Sequence, residues 1–174
     1  MTVEQLLHAA DDPDTSEEAI DSPNLVADLL SRDDILLDLD ADSKHKAFET
    51  IAQFLGRSHD LDAEQICAGL IEREALGSTG LGRGVAIPHA RVKGLQEAVA
   101  VFARLRAPIA FDAPDCKPVS DMFVLLVPAR ATDRHLKILA LVAEMFCDTC
   151  FRESLRSTTD PSDVYRLLAA WRPC

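Results

Sequence analysis

The run Met122-Phe123-Val124-Leu125-Leu126-Val127 restricts this chain more than any other stretch. Six apolar residues in a row, of strand length, suit a central strand buried on both faces. Such a strand needs neighbours at its edges and helices above and below. Alternation over Ala98–Leu105, the short apolar segment Val85-Ala86-Ile87 and the run Ile35–Leu39 supply further strands. Asp112–Pro118 is turn chemistry.

Helical spacing accounts for most of the rest. A short helix is expected over Asn24–Leu30. Ser43 caps a pattern through Ala47, Phe48, Ile51, Phe54 and Leu55 that ends near Gly56. Asp62 and Gln65 stand three apart as a capping box before Ile66, Leu70 and Ile71. Thr132 caps a pattern through Leu136, Leu139, Ala140, Ala143 and Phe146, and Phe151 with Leu155 marks a short helix. Asp160-Pro161 opens a last helix carrying Val164, Leu167, Leu168 and Trp171 on one face. The expected fold is a single α/β domain, a mixed β-sheet with helices on both faces.

Length and charge narrow the function. The chain has 174 residues, 48% of them hydrophobic, which suits one domain with a sizeable core. No apolar run reaches membrane-spanning length, and the start lacks a basic–apolar–small leader pattern, so a cytoplasmic protein is expected. A net charge of −11 argues against non-specific nucleic-acid binding. It fits a basic protein partner, and it fits solubility alone equally well. Residues 1–23 are polar and acidic and read as a flexible extension, with His8 in it unconnected to chemistry; residues 24–174 form the domain. The five cysteines are an odd count that fits reduced thiols. Cys147-Asp-Thr-Cys150 has the spacing of redox and zinc sites, but it closes an apolar helical pattern, which favours packing. No metal-ligand cluster or cofactor motif is present in the sequence.

Chemistry concentrates between Arg73 and Arg91. The stretch Gly77-Ser78-Thr79-Gly80-Leu81-Gly82-Arg83-Gly84 holds most of the glycines, then Val85-Ala86-Ile87-Pro88 leads to His89. Glycines let backbone amides converge on an anion, Ser78 and Thr79 offer hydroxyls, and Arg73 offers a guanidinium suited to bidentate phosphate contact. Pro88 holds Ile87 extended, so His89 leaves a strand end in a restrained conformation. A neutral imidazole is a nucleophile suited to phosphoryl relay. The plainer reading of His89 is a turn histidine, and of Arg73 a helix-end arginine satisfying the dipole. His135, in the first turn of its helix, is either a donor to an anion held there or an ordinary surface residue.

These residues carry a resemblance. Arg73-Glu74, Gly77–Gly80 and Gly84-Val85-Ala86-Ile87-Pro88-His89 are similar to the active-site signature of the IIA components of the bacterial phosphotransferase system, fructose–mannitol class, and most similar to its nitrogen-regulatory branch. Asp133-Arg134-His135-Leu136-Lys137 resembles the place of that family's second histidine. The likeness runs from about Leu25 to Trp171. It implies a phosphotransferase in which His89 accepts a phosphoryl group from a phosphohistidine carrier of the HPr or NPr type, with His135 assisting and Arg73, Ser78, Thr79 and Gly80 holding phosphate. The implied role is regulation of partner proteins in nitrogen metabolism, or else delivery of the group to a IIB component in sugar uptake. Cys116 stands where the family pattern has glycine. The rim of His89 is expected to be flat, apolar and ringed by arginine, with Leu81, Val92, Leu95 and Arg83 as its candidates.

Overall fold

The computed structural model describes residues 25–130 and 133–173. The acidic segment 1–23, His8 and the Thr132 cap lie outside the described residues. In chain order the elements are α1 (Leu25–Leu29), a 3-10 turn (Arg32–Asp34), β1 (Ile35–Leu39), α2 (Lys44–His59), α3 (Ala63–Ala75), β2 (Gly80–Gly82), β3 (Val85–Ala86) and β4 (His89–Val92). They continue through β5 (Val99–Ile109), β6 (Val119–Pro128), α4 (Asp133–Cys147), α5 (Thr149–Ser157) and α6 (Pro161–Ala170).

The unbroken apolar run is the middle of the sheet, as its composition requires. Strand order is β1-β5-β6-β3-β2, with β4 also paired to β6. β5 lies antiparallel along one edge of β6, and β3 and β4 share the other edge end to end, both parallel to it. Met122, Val124 and Leu126 point into the core beneath α2 and α3, which also holds Phe48, Ile51 and Leu70. Phe123, Leu125 and Val127 point into the core beneath α1, α4, α5 and α6, with Ile138, Val142, Phe146 and Leu168. The period of two along β6 therefore feeds two separate cores. This is a mixed sheet covered on both faces.

Caps follow the sequence signals. Ser43 accepts from the Lys46 amide, Asp62 from those of Glu64 and Gln65, and Asp160 from those of Ser162 and Asp163 ahead of Pro161. Two boundaries differ from expectation. α2 runs past Gly56 to His59 and stops at Asp60, whose φ of 53° is left-handed. Gly56 is there for a close approach: a Cβ on it would sit 2.9 Å from the Leu61 carbonyl oxygen. β5 continues through Arg106-Ala107-Pro108 to Ile109, because the register shift between Arg104 and Ile109 frees it from regular pairing where the proline has no N–H to donate.

The interruption between β3 and β4 shapes the functional face. Pro88 cannot donate to β6, yet its carbonyl accepts from the Leu125 amide at 2.9 Å. The Ile87 amide turns away to the Thr79 carbonyl at 3.0 Å. β6 thus keeps its partner on both sides of a kink, and His89 opens the second half opposite Leu125.

Candidate active site

His89 is held at both ring nitrogens. Nδ1 lies 3.0 Å from the Ile87 carbonyl oxygen, and Nε2 lies 3.0 Å from Nε of Arg73. A carbonyl can only accept and a guanidinium can only donate. The proton therefore sits on Nδ1, and Nε2 keeps its lone pair. Burial pushes the His89 pKa below the usual histidine value; the Arg73 charge adds to this, against the Ile87 carbonyl and Glu74, which pull the other way. The ring is neutral near pH 7 and in one tautomer, with its lone pair on Nε2.

Arg73 reaches that nitrogen because α3 packs tightly on β4. Gly69, one turn earlier in α3, would place a Cβ 3.2 Å from the Ala90 Cβ, so a side chain there would push the helix off the strand. Nη1 of Arg73 donates to the Gly77 carbonyl at 3.0 Å. Nη2 has no partner among the described residues.

His135 lies in the first turn of α4 and is buried. Burial lowers its pKa, and the charges of Arg134 and Arg91 lower it further. It lines the same depression as His89, about 890 Å³ in volume, together with Arg73, Arg91, Leu76 and Leu136. His89, Arg73 and His135 therefore meet on one face.

Ser78, Thr79 and Gly80 do not join them. The Ser78 hydroxyl donates to the Phe111 carbonyl at 2.7 Å and accepts from the Gly80 amide at 3.1 Å. The Thr79 hydroxyl donates to Glu74 Oε2 at 2.6 Å, and the Thr79 amide donates to the same oxygen at 3.0 Å. Both hydroxyl protons are committed inside the protein, contrary to the sequence expectation. The glycines likewise build no amide nest. They build the β2–β3 hairpin, with Gly82, Arg83 and Gly84 at φ of 82°, 57° and 82° through its turn. The Arg83 amide is tied there to Asp115 Oδ2 at 2.7 Å.

The rim also differs from expectation. Leu76 is 86% exposed and Leu136 68%, and these two form the apolar border of the depression. Val92 is 1% exposed because β4 alternates and turns it inward, and Leu95, beyond the end of β4, is partly buried against the α2–α3 core. Leu81 is partly exposed but sits on the hairpin. Arg83 donates to the Cys147 carbonyl at 3.4 Å, at the C-terminal end of α4. His135 is at the other end of that 15-residue helix, roughly 20 Å away at ~1.5 Å per residue.

Two residues had little signal in the sequence. Glu74 is a buried carboxylate whose Oε1 accepts from Lys44 Nζ at 2.9 Å. Lys44 also reaches Asp112 at 3.0 Å. Partial burial pulls the Lys44 pKa down, but the bonds to Glu74 and Asp112 outweigh it and raise it. The adjacency Arg73-Glu74 was the only hint, since Lys44 comes from a different helix. Cys116 adopts φ of 56°, the left-handed conformation that glycine takes most readily, which explains the family preference at that turn. Cys147 and Cys150 are free thiols exposed at the α4–α5 junction.

The chain belongs to the phosphoenolpyruvate-dependent sugar phosphotransferase system EIIA 2 family, whose model matches residues 28–171. It is 40% identical over 134 residues to a nitrogen regulatory protein of Pseudomonas aeruginosa, covering 76% of this chain and 87% of that one. Against a nitrogen regulatory protein of Escherichia coli K12 the identity is 39% over 127 residues, 72% and 78% of the two chains. The crystal structure of nitrogen regulatory protein IIA-Ntr from Neisseria meningitidis superposes with a TM-score of 0.78 at 43% identity, covering 83% of this chain and 99% of that one. The IIA mannitol structure from Escherichia coli shares the fold, with a TM-score of 0.68 at 22% identity over 80% and 99% of the chains. Among the described residues no helix is long and apolar enough to cross a membrane.

Proposed function

We propose that Nε2 of His89 accepts a phosphoryl group from a phosphohistidine carrier of the HPr or NPr type, and that this cytoplasmic protein regulates its partners through the resulting phosphorylation state. The observation that carries the reading is the lock on the imidazole: Ile87 holds the proton on Nδ1 and leaves the lone pair on Nε2, where Arg73 donates to it at the edge of the depression. A bond forms between Nε2 and phosphorus as the carrier's N–P bond breaks, and the carrier imidazole keeps the electron pair. His89 loses no proton in the step. Its ring becomes cationic, and the Ile87 carbonyl supports that charge through Nδ1–H. Arg73 passes its Nε–H from Nε2 to a phosphoryl oxygen, and its unengaged Nη2 takes a second. His135 donates to the same group. Positioning and charge stabilisation of this kind are what phosphoryl transfer needs.

Regulation is favoured over sugar uptake by the names of the more similar relatives. Nitrogen regulatory proteins match at 35–40% identity over 76–85% of the chain, a wider span than the 66% over which a fructose-specific EIIA component of Haloferax volcanii matches at 37%. The exposed Leu76 and Leu136 provide a docking rim for a protein donor. Incubation with phosphoenolpyruvate, enzyme I and the carrier, followed by intact mass, tests the reading. Wild type is expected to gain one phosphoryl group and His89→Ala none. Equal labelling of the two proteins overturns it.

A further inference from the structure

We propose that Glu74 is a positioning residue for phosphoryl acceptance, its buried carboxylate bracing, through Thr79 and Ile87, the hydrogen bond that holds the proton on His89 Nδ1. This rests on the reading of His89 as the acceptor. Two paths lead from Glu74 to the imidazole. On one, Oε2 accepts the Thr79 amide at 3.0 Å, the Thr79 carbonyl accepts the Ile87 amide at 3.0 Å, and the Ile87 carbonyl faces His89 Nδ1 at 3.0 Å. On the other, the Glu74 carbonyl accepts the Gly77 amide at 3.1 Å, the Gly77 carbonyl accepts Arg73 Nη1 at 3.0 Å, and Arg73 Nε meets His89 Nε2 at 3.0 Å. The side chain of Glu74 closes the 74–79 loop through Thr79, and that loop sets where Gly77 stands. The carboxylate thus closes one arm of a hydrogen-bonded ring around the imidazole, and the main chain of the same residue begins the other.

Lys44 makes the arrangement tolerable. A buried carboxylate without a partner is costly, and Lys44 Nζ at 2.9 Å supplies the charge from α2. Glu74 also acts on the ring electrostatically, opposing the lowering of the His89 pKa by burial and Arg73. The charged or titratable groups bordering the depression are Glu72, Arg73, His89, Arg91, Asp133 and His135. Glu74 lies behind them, its carboxylate bound to Thr79 in the loop that leads to the acceptor.

The test is Glu74→Gln in the full chain. Glutamine keeps the shape, but it cannot present acceptors to both Thr79 and Lys44. Saturated phosphorylation rate is expected to fall on the order of tenfold to a hundredfold, as for a small misplacement of reacting groups. The carrier KM should stay unchanged, because Glu74 lies beneath the rim. ¹⁵N NMR of the His89 ring should show loss of the pure Nδ1–H tautomer and a ring titration moved to lower pH. Thr79→Val, which removes one bond to the same oxygen, should shift tautomer and rate in the same direction by a smaller factor. A wild-type tautomer and titration in folded Glu74→Gln, with any rate loss matched by its unfolded fraction, would overturn the proposal. The ring measurement needs no phosphoryl transfer, so it judges Glu74 even if the mass experiment removes His89 as the acceptor.

Discussion

Arg73 and Arg104 serve opposite ends of β6, and they are used in opposite ways. Arg104 spends all three nitrogens inside the protein. Nε pairs with the buried Asp121 at 2.7 Å, Nη1 donates to the Thr158 carbonyl at 2.7 Å and Nη2 to the Leu155 carbonyl at 2.8 Å. It ties the sheet to the C-terminal end of α5. Arg73 has no ion pair among the described residues, bonds a neutral imidazole and a loop carbonyl, and keeps Nη2 unengaged. A saturated guanidinium is architecture. One with a spare donor beside an uncharged imidazole suits the anion that the proposed transfer would bring.

Substitutions break this contrast in order of size. Arg104→Ala leaves the Asp121 carboxylate buried without its cation, and unfolding by denaturant should show a loss of about 3–5 kcal/mol. The fraction that stays folded should still be phosphorylated. Arg73→Ala should do the reverse. Its stability should change by about 1 kcal/mol or less, while the phosphorylation rate falls roughly 10²–10³-fold in single-turnover kinetics, as for loss of a preorganised donor. Large destabilisation by Arg73→Ala with an unchanged rate would erase the distinction. His135→Ala should leave His89 reactive but slow transfer on the order of 10²-fold; transfer at the wild-type rate would make His135 a bystander.

The contrast also sets a pH dependence. Both His89 and His135 have pKa values held below the usual histidine value of about 6.5, first by burial and then by neighbouring arginines. Protonation of Nε2 removes the nucleophile, so the rate should hold steady as pH falls to about 6.5 and decline only below it. Arg73→Met removes a cation from the ring, and its decline should begin at higher pH. For stability the sign follows proton uptake. The unfolded chain protonates these histidines first, so stability should fall as pH drops below about 6.5 and stop falling once the folded pKa values are passed. Thermal melts of His89→Gln should show less of that acid loss. The smallest expected effect is at the far turn: Cys116→Gly relieves a left-handed φ of 56° and should stabilise by about 0.5–1 kcal/mol with no change in rate.

What the sequence by itself determined lies in local periodicity and special residues. Met122–Val127 announced a doubly buried strand, and its alternate residues do enter two cores. Ser43, Asp62 and Asp160 marked helix starts that the structure keeps. Pro88 marked the break before His89, and Asp112–Pro118 marked a turn. These signals are short-range: each depends on a few neighbouring residues and on backbone sterics. The tertiary structure alone decided which donors remain available once the chain has folded. It turned Ser78 toward Phe111 and Thr79 toward Glu74, brought Lys44 to a carboxylate 30 residues away, and buried Val92 while exposing Leu76 and Leu136. It also chose Nε2 over Nδ1, because the Ile87 carbonyl and the Arg73 guanidinium approach the ring from opposite sides. A residue's identity states which hydrogen bonds it can make. Only the packed chain settles which of them are already taken.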